Sequence, residues 1–238
     1  MLHIEHLTKK FGDKIAVNDL TVHLAPGQIC AFIGHNGAGK TTTLKACCGI
    51  HDFDEGRILI NGHSIKEEPL ACKQDLAYLP DNPDLYEFMT GTKYLNFISD
   101  IFRIPLDVRK QRIAKYAEML SIYQDLSQPI SSYSHGMKQK IAIISALIHD
   151  PKLLLMDEPF VGLDPVASHD LKNVMHDLCE SGASIFYSTH VLEVAEKLCD
   201  RVVIIKNGRL VASGTMDEVL GDSSLESVFL ELEGSQDA

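Results

Sequence analysis

Gly34-His35-Asn36-Gly37-Ala38-Gly39-Lys40-Thr41 matches the pattern G-x-x-x-x-G-K-[ST] at every fixed position, and no other segment constrains the chain as much. It follows the apolar run Ile29–Ile33 and opens a helical stretch from Thr42 to Cys48 that Gly49 closes. Strand, glycine loop and helix in that order are the context the pattern needs. The glycines let backbone N–H groups turn inward, and the helix start adds partial positive charge, so the loop is predicted to cradle phosphate oxygens. From this chain's own glycine, lysine and Ser/Thr frequencies, a chance match has roughly one chance in a hundred before the context is demanded.

Such a loop places Lys40 on the β- and γ-phosphates of a nucleoside triphosphate and the Thr41 hydroxyl on Mg2+. A second apolar run, Leu153-Leu154-Leu155-Met156, ends in Asp157-Glu158. Two adjacent acids alone are usually a solvated turn; after a buried strand, Asp157 is placed to hold Mg2+, through water, and Glu158 to act as general base. Ile185-Phe186-Tyr187 leads to Ser188-Thr189-His190; by itself such a histidine is more often a surface or core residue than a catalytic one. Asp164-Pro165 reads as the capped start of a helix, and capping alone accounts for Asp164. Ser131-Ser132-Tyr133-Ser134-His135-Gly136-Met137-Lys138-Gln139 puts Ser134 and Gly136 at the start of another helix, a second anion-binding terminus. One phosphate loop needs one such terminus; a second points to two chains that each close the other's nucleotide.

The three apolar runs read as buried parallel strands. Leu2, Ile4, Val22 and Leu24 alternate as in antiparallel strands with one buried face. Asn61-Gly62 and Asn207-Gly208 are hairpin signals between strands. From about residue 83 to 149 strand signals stop and three helical faces follow, so a helical block is inserted into an α/β domain. The residues after Gly234 read as frayed.

A formal net charge of -11 argues against a main role in gripping nucleic acid. No apolar stretch approaches the roughly 18 residues of a membrane span, and the N-terminus lacks the regions of a secretion signal, so a soluble, cytoplasmic chain is expected. The six cysteines lie in no CxxC pair and read as small hydrophobes.

In this order the motifs resemble the nucleotide-binding subunits of ATP-binding cassette transporters, over nearly the whole chain. The resemblance implies one nucleotide-binding domain: an α/β P-loop NTPase (RecA-like) core with an N-terminal antiparallel β subdomain, about residues 1–82 and 150–238, and an inserted α-helical signature subdomain, about residues 83–149. It implies ATP and Mg2+ as ligands and a head-to-tail dimer, here expected to be a homodimer. Gly34, His35, Asn36, Gly37, Ala38, Gly39, Lys40, Thr41 and Thr42 would hold the nucleotide, with no catalytic role for His35. Ser134 and Gly136 would contact the partner's γ-phosphate, His190 the chain's own, and Asp164 would couple the two sites. Phe11, the only aromatic before Phe32, matches the aromatic that stacks on adenine, although core filler is an alternative.

Two departures stand out. The signature has His135 and Met137 where the family pattern has glycine and glutamine, as in the subgroup serving exporters of the ABC-2 kind. Asp81 stands where a loop over residues 77–83 normally carries glutamine; its carboxylate can ligate Mg2+ or orient water. Residues 78–102 look most like Ecs-type exporter ATPases. The partner implied is a separate polytopic membrane subunit, with this chain peripheral on the inner face of the membrane and export the expected direction. The alternatives are a soluble cassette ATPase acting on ribosomes or chromosomes, a P-loop kinase, which leaves the signature segment unexplained, and a degenerate half of a heterodimer.

Overall fold

The computed structural model describes residues 1–234, so the expected fraying beyond Gly234 lies outside the described residues. The chain opens with β1 (Leu2–Phe11) and β2 (Lys14–Leu24), which pair antiparallel, Leu2 opposite Leu24 and Ile4 opposite Val22. Strand β3 (Ile29–Ile33) leads through the glycine loop into helix α1 (Lys40–Cys47). Strands β4 (Glu55–Ile60) and β5 (His63–Ser64) follow, then α2 (Pro69–Asp75) and β6 (Leu76–Leu79). Next come α3 (Gly91–Ile101), α4 (Leu106–Met119) and α5 (His135–Leu147). The remainder is β7 (Leu153–Asp157), α6 (Pro165–Glu180), β8 (Ser184–Thr189), α7 (Leu192–Leu198), β9 (Arg201–Lys206), β10 (Arg209–Thr215), α8 (Met216–Leu220) and α9 (Leu225–Gly234).

Two sheets form, in the orders β2-β1-β4-β5 and β10-β9-β3-β8-β7-β6. The first is antiparallel; in the second, all neighbours are parallel except β10 on β9. Both hairpin signals act as predicted. Asn61 and Gly62 have φ 50° and 89°, Asn207 and Gly208 have φ 50° and 78°, the positive values a two-residue type I′ turn requires.

The three apolar runs are buried on both faces because the parallel sheet lies between two cores. Ile29, Ala31 and Ile33 join Leu154, Met156, Ile185 and Tyr187 against α3 to α6. Cys30 and Phe32 turn the other way and pack with Leu153, Leu155, Phe186, α1 and the antiparallel sheet. Phe32 and Phe186 stack with ring centroids 4.9 Å apart. Burying a side chain of that size contributes about 1.5–3 kcal/mol, so this packing fixes where the strand ends, and hence the site, must lie.

One strand departs from the expectation of a loop over residues 77–83. Residues 76–79 form β6, paired parallel with β7, and the loop begins only at Pro80. Four apolar residues between a helix end and a proline are too short for periodicity to separate strand from loop. All six cysteines are free, Cys179 half-buried and the others buried. Among the described residues, no helix is long and apolar enough to cross a membrane.

Candidate functional site

The site gathers at the carboxyl ends of β3, β6, β7 and β8, where ligands of open parallel sheets bind. The glycine loop keeps its shape because backbone from other strands occupies the space a side chain would need. A β-carbon at Gly34 would lie 2.6 Å from the Ile205 carbonyl oxygen, and one at Gly39 2.5 Å from that of Ala16. Gly39 also has φ 110° as the N-cap of α1, a left-handed conformation that costs other residues free energy. The turn after β9 closes the box: Gly208 N–H donates to the Ala38 carbonyl at 2.9 Å. No side chain caps α1, so its first N–H groups remain available to an anion.

Lys40 is only 7 % exposed, and its Nζ donates to the carbonyls of Gly34 at 2.6 Å and His35 at 3.3 Å. Burial lowers its pKa, opposed by the nearby Glu158 and Asp157 carboxylates. Nζ lies 4.0 Å from Glu158 Oε1, while Glu158 Oε2 meets His190 Nδ1 at 2.9 Å and the His190 N–H at 3.3 Å. Glu158 has φ 48°, a left-handed backbone conformation at the strand end. Asp157 is buried; its Oδ1 accepts from the Ser188 hydroxyl, which in turn accepts from the Glu158 N–H at 3.0 Å.

Asp157 Oδ2 is buried without a hydrogen-bond partner. A buried oxygen of this kind is costly unless something pairs with it, and together with the Thr41 hydroxyl at the cavity it offers the oxygen donors Mg2+ takes. Among the described residues no three acidic, histidine or cysteine side chains form a ready-made metal cage.

Phe11, His35, Asn36, Gly37, Gly39, Lys40, Thr41, Thr42, Asp81, Asp157 and Glu158 line one cavity of about 360 Å³. Phe11 is half exposed at its rim and makes an edge contact with His51. Gly34 and Ala38 shape the loop from beneath. His190 is not part of the lining and reaches the cavity through Glu158. Ser134, Gly136 and Asp164 also lie off it: Ser134 caps α5, its Oγ accepting from Met137 N at 3.3 Å. Asp164 caps α6, accepting from Val166 and Ala167 N–H at 2.9 and 2.8 Å.

Three residues at this site went unread in the sequence. Lys14 and Ala16 line the cavity from β2, and Ser188 holds both carboxylate-bearing residues. Ser188 figured there only as part of Ser188-Thr189-His190, and its place opposite Asp157 is set by sheet register; Lys14 and Ala16 carried no sequence signal.

A family model described as ABC transporter matches residues 17–161, more than half the chain. The chain belongs to the ABC transporter family. An uncharacterised ABC transporter ATP-binding protein of Nostoc sp. is 38 % identical over 207 residues, covering 86 % of this chain and 61 % of that one, so the chain spans about three-fifths of that relative. The ABC-type transporter ATP-binding protein EcsA of Bacillus subtilis is 33 % identical over 237 residues, 98 % of this chain and 96 % of EcsA. A solved ATP-binding subunit of an ABC transporter superposes with a TM-score of 0.94 at 34 % identity, covering 98 % of this chain and 99 % of that one. This ABC-family chain therefore shares its fold with such a subunit over 98 % of its length, the α/β P-loop architecture that the resemblance implied.

Proposed function

We propose that this chain binds ATP with Mg2+ at residues 34–42, hydrolyses it, and drives a membrane transporter whose spanning subunit is a separate chain. One observation carries the catalytic part: Glu158 stands between Lys40 and His190, one carboxylate oxygen toward each. In this reading Lys40 exchanges its bonds to the loop carbonyls for the β- and γ-phosphates, while the open N–H groups of α1 hold phosphate oxygens. Phe11 covers the adenine. Glu158 takes a proton from water as that water's oxygen bonds to the γ-phosphorus and the bond to the β-phosphate oxygen breaks, giving ADP and phosphate. His190 fixes the Glu158 carboxylate and reaches the γ-phosphate. Thr41 and Asp157 would hold Mg2+, Asp157 through water, with Asp81 adding a carboxylate to the same cavity; when bound, the ion neutralises charge across the phosphates.

Ser134, Gly136 and Asp164 are outside the chain's own cavity, as a head-to-tail homodimer requires if each copy's α5 start closes the other's nucleotide. For the membrane subunit, Tyr86, Phe88 and Phe97 offer an exposed aromatic surface, with Tyr86 5.9 Å from Phe88 and 5.6 Å from Phe97 between ring centroids. A cytoplasmic helix of that subunit is the proposed occupant, which makes this chain peripheral on the inner membrane face. The His135/Met137 signature supports export as the direction. No observation favours a ribosome- or chromosome-acting ATPase.

Glu158→Gln is the test. It should bind ATP as the parent does, associate as a dimer in ATP, and lose turnover by about 10²–10⁴-fold. Near-normal hydrolysis would remove Glu158 as the base. Capture of the tagged variant from gently solubilised membranes should bring a polytopic membrane protein in near-equal amount; its absence would remove the transporter coupling.

A further inference from the structure

His135 occupies a signature position where glycine is usual, and neither the phosphate loop nor the carboxylates use it. It is the first residue of α5, directly after the capping Ser134, and its side chain is exposed. Yet one edge of its ring rests on another loop. A β-carbon built at Gly162 would lie 2.4 Å from His135 Cδ2 and 2.6 Å from Nε2. Gly162 has φ 80°, and its carbonyl oxygen lies 3.6 Å from where a β-carbon would stand on Gly136. The His135 ring therefore packs against Gly162, and the backbone of Gly136 lies close by.

That turn has a particular place in the chain. It begins at Glu158, whose carbonyl accepts from Val161 N–H at 3.1 Å, and Phe160 carbonyl accepts from Leu163 N–H at 3.4 Å. It ends at Asp164, the cap of α6. So α5, from the helical block, touches the core at the segment joining the candidate base to the second capped helix.

We infer that His135 is a positioning residue whose ring packs over Gly162 and holds the α5 start and the Glu158–Asp164 turn as one surface. With glycine at position 135 no side chain would pack on Gly162; with a side chain at position 162 the imidazole would be pushed off. The contact is one of shape, so an aromatic ring of similar reach serves. Its use in function rests on the dimer reading above, because Ser134, Gly136 and Asp164 then meet the partner together.

The experiment is amide exchange of the full chain by NMR without nucleotide, read at Leu163. Local opening of the turn governs that exchange. In His135→Ala the Leu163 amide should exchange ~10-fold faster, and His135→Phe should stay within about twofold of the parent. Gly162→Ala should accelerate exchange more in the parent than in the His135→Ala background, since neighbours that share a contact are non-additive. Unchanged exchange in His135→Ala, or a His135→Phe variant as fast as alanine, would overturn the packing role. In the Glu158→Gln background, His135→Ala should weaken ATP-induced dimerisation while leaving ATP affinity of the monomer unchanged. Equal dimerisation would overturn the functional consequence. If the Glu158→Gln parent itself stays monomeric in ATP, the dimer reading fails, and the exchange data still judge His135.

Discussion

The starts of α1 and α5 are both helix N-termini, one buried in the phosphate-loop cradle and one exposed, and they are built in opposite ways. At α1, Gly39 takes the cap position and no side chain bonds the first N–H groups. At α5, the Ser134 hydroxyl accepts from Met137 N, and α6 follows the same plan with Asp164. An uncapped helix start leaves its first N–H groups free of side-chain partners; a capped one already has part of its donors satisfied. The first is complete within one chain. In the dimer proposed above, the second pair would offer a hydroxyl, remaining N–H groups and a carboxylate to the partner.

The contrast breaks first at Lys40. Lys40→Ala removes the one ammonium buried in the cradle, so turnover should fall by about 10²–10³-fold with ATP affinity, while Ser134→Ala leaves ATP binding to the monomer intact. Steady-state hydrolysis and equilibrium binding of a fluorescent ATP analogue check both. If Ser134→Ala lost monomer binding to the same degree, the two helix starts would serve one site and the contrast would be void.

Asp157→Asn comes next. It keeps the packing but halves the donor set at the orphaned oxygen, so the Mg2+ concentration for half-maximal hydrolysis should rise about 10–100-fold. The same titration read by Mg2+-dependent nucleotide affinity gives a measure independent of turnover. A Mg2+ response equal to the parent would detach Asp157 from the ion.

Why the α1 site was legible from residues alone, and the rest less so, follows from what each depends on. Gly34, Gly39 and Lys40 sit in one contiguous loop whose chemistry is local, and flanking strand and helix patterns place it. Even there, the reason glycine is required at 39 is the Ala16 carbonyl on a strand more than twenty residues earlier, which no spacing rule shows. The parallel strands announced themselves by apolar runs; β6, at the sheet edge and four residues long, did not. The Lys40–Glu158–His190 chain joins the first residue of α1 to the ends of β7 and β8, so its members could be named singly but not as a connected set. The His135–Gly162 contact is tertiary throughout. Its only sequence trace is a histidine where glycine is usual.

Smaller effects test the capped side. Ser134→Ala should cost about 0.5–1 kcal/mol of stability, at the low end for a cap because the bond is long and exposed. Thermal or urea unfolding at neutral pH measures it. A loss above this range would mean the hydroxyl has partners beyond Met137 N.

The smallest expected effect concerns Asp164, and its sign follows from the cap. Ala167 N–H, and then Val166 N–H, donate to Oδ1 and hold the carboxyl below its ordinary value of 3.8, with Lys140 nearby adding to the shift. A carboxyl whose folded pKa is depressed stabilises the fold above the unfolded value and loses that contribution as pH falls through the folded one. Asp164→Asn keeps a competent cap at every pH but lacks the charge at the positive end of α6. The parent should therefore unfold at a slightly higher temperature than Asp164→Asn at pH 7, and the two curves should converge below about pH 3.8. Because the group is exposed, salt should shrink the gap. A difference that persisted unchanged into acid would mean the carboxylate's charge plays no part in the cap. The carboxylate would then differ from the amide only in shape, and Asp164 would join Ser134 as a neutral cap rather than a charged one facing outward.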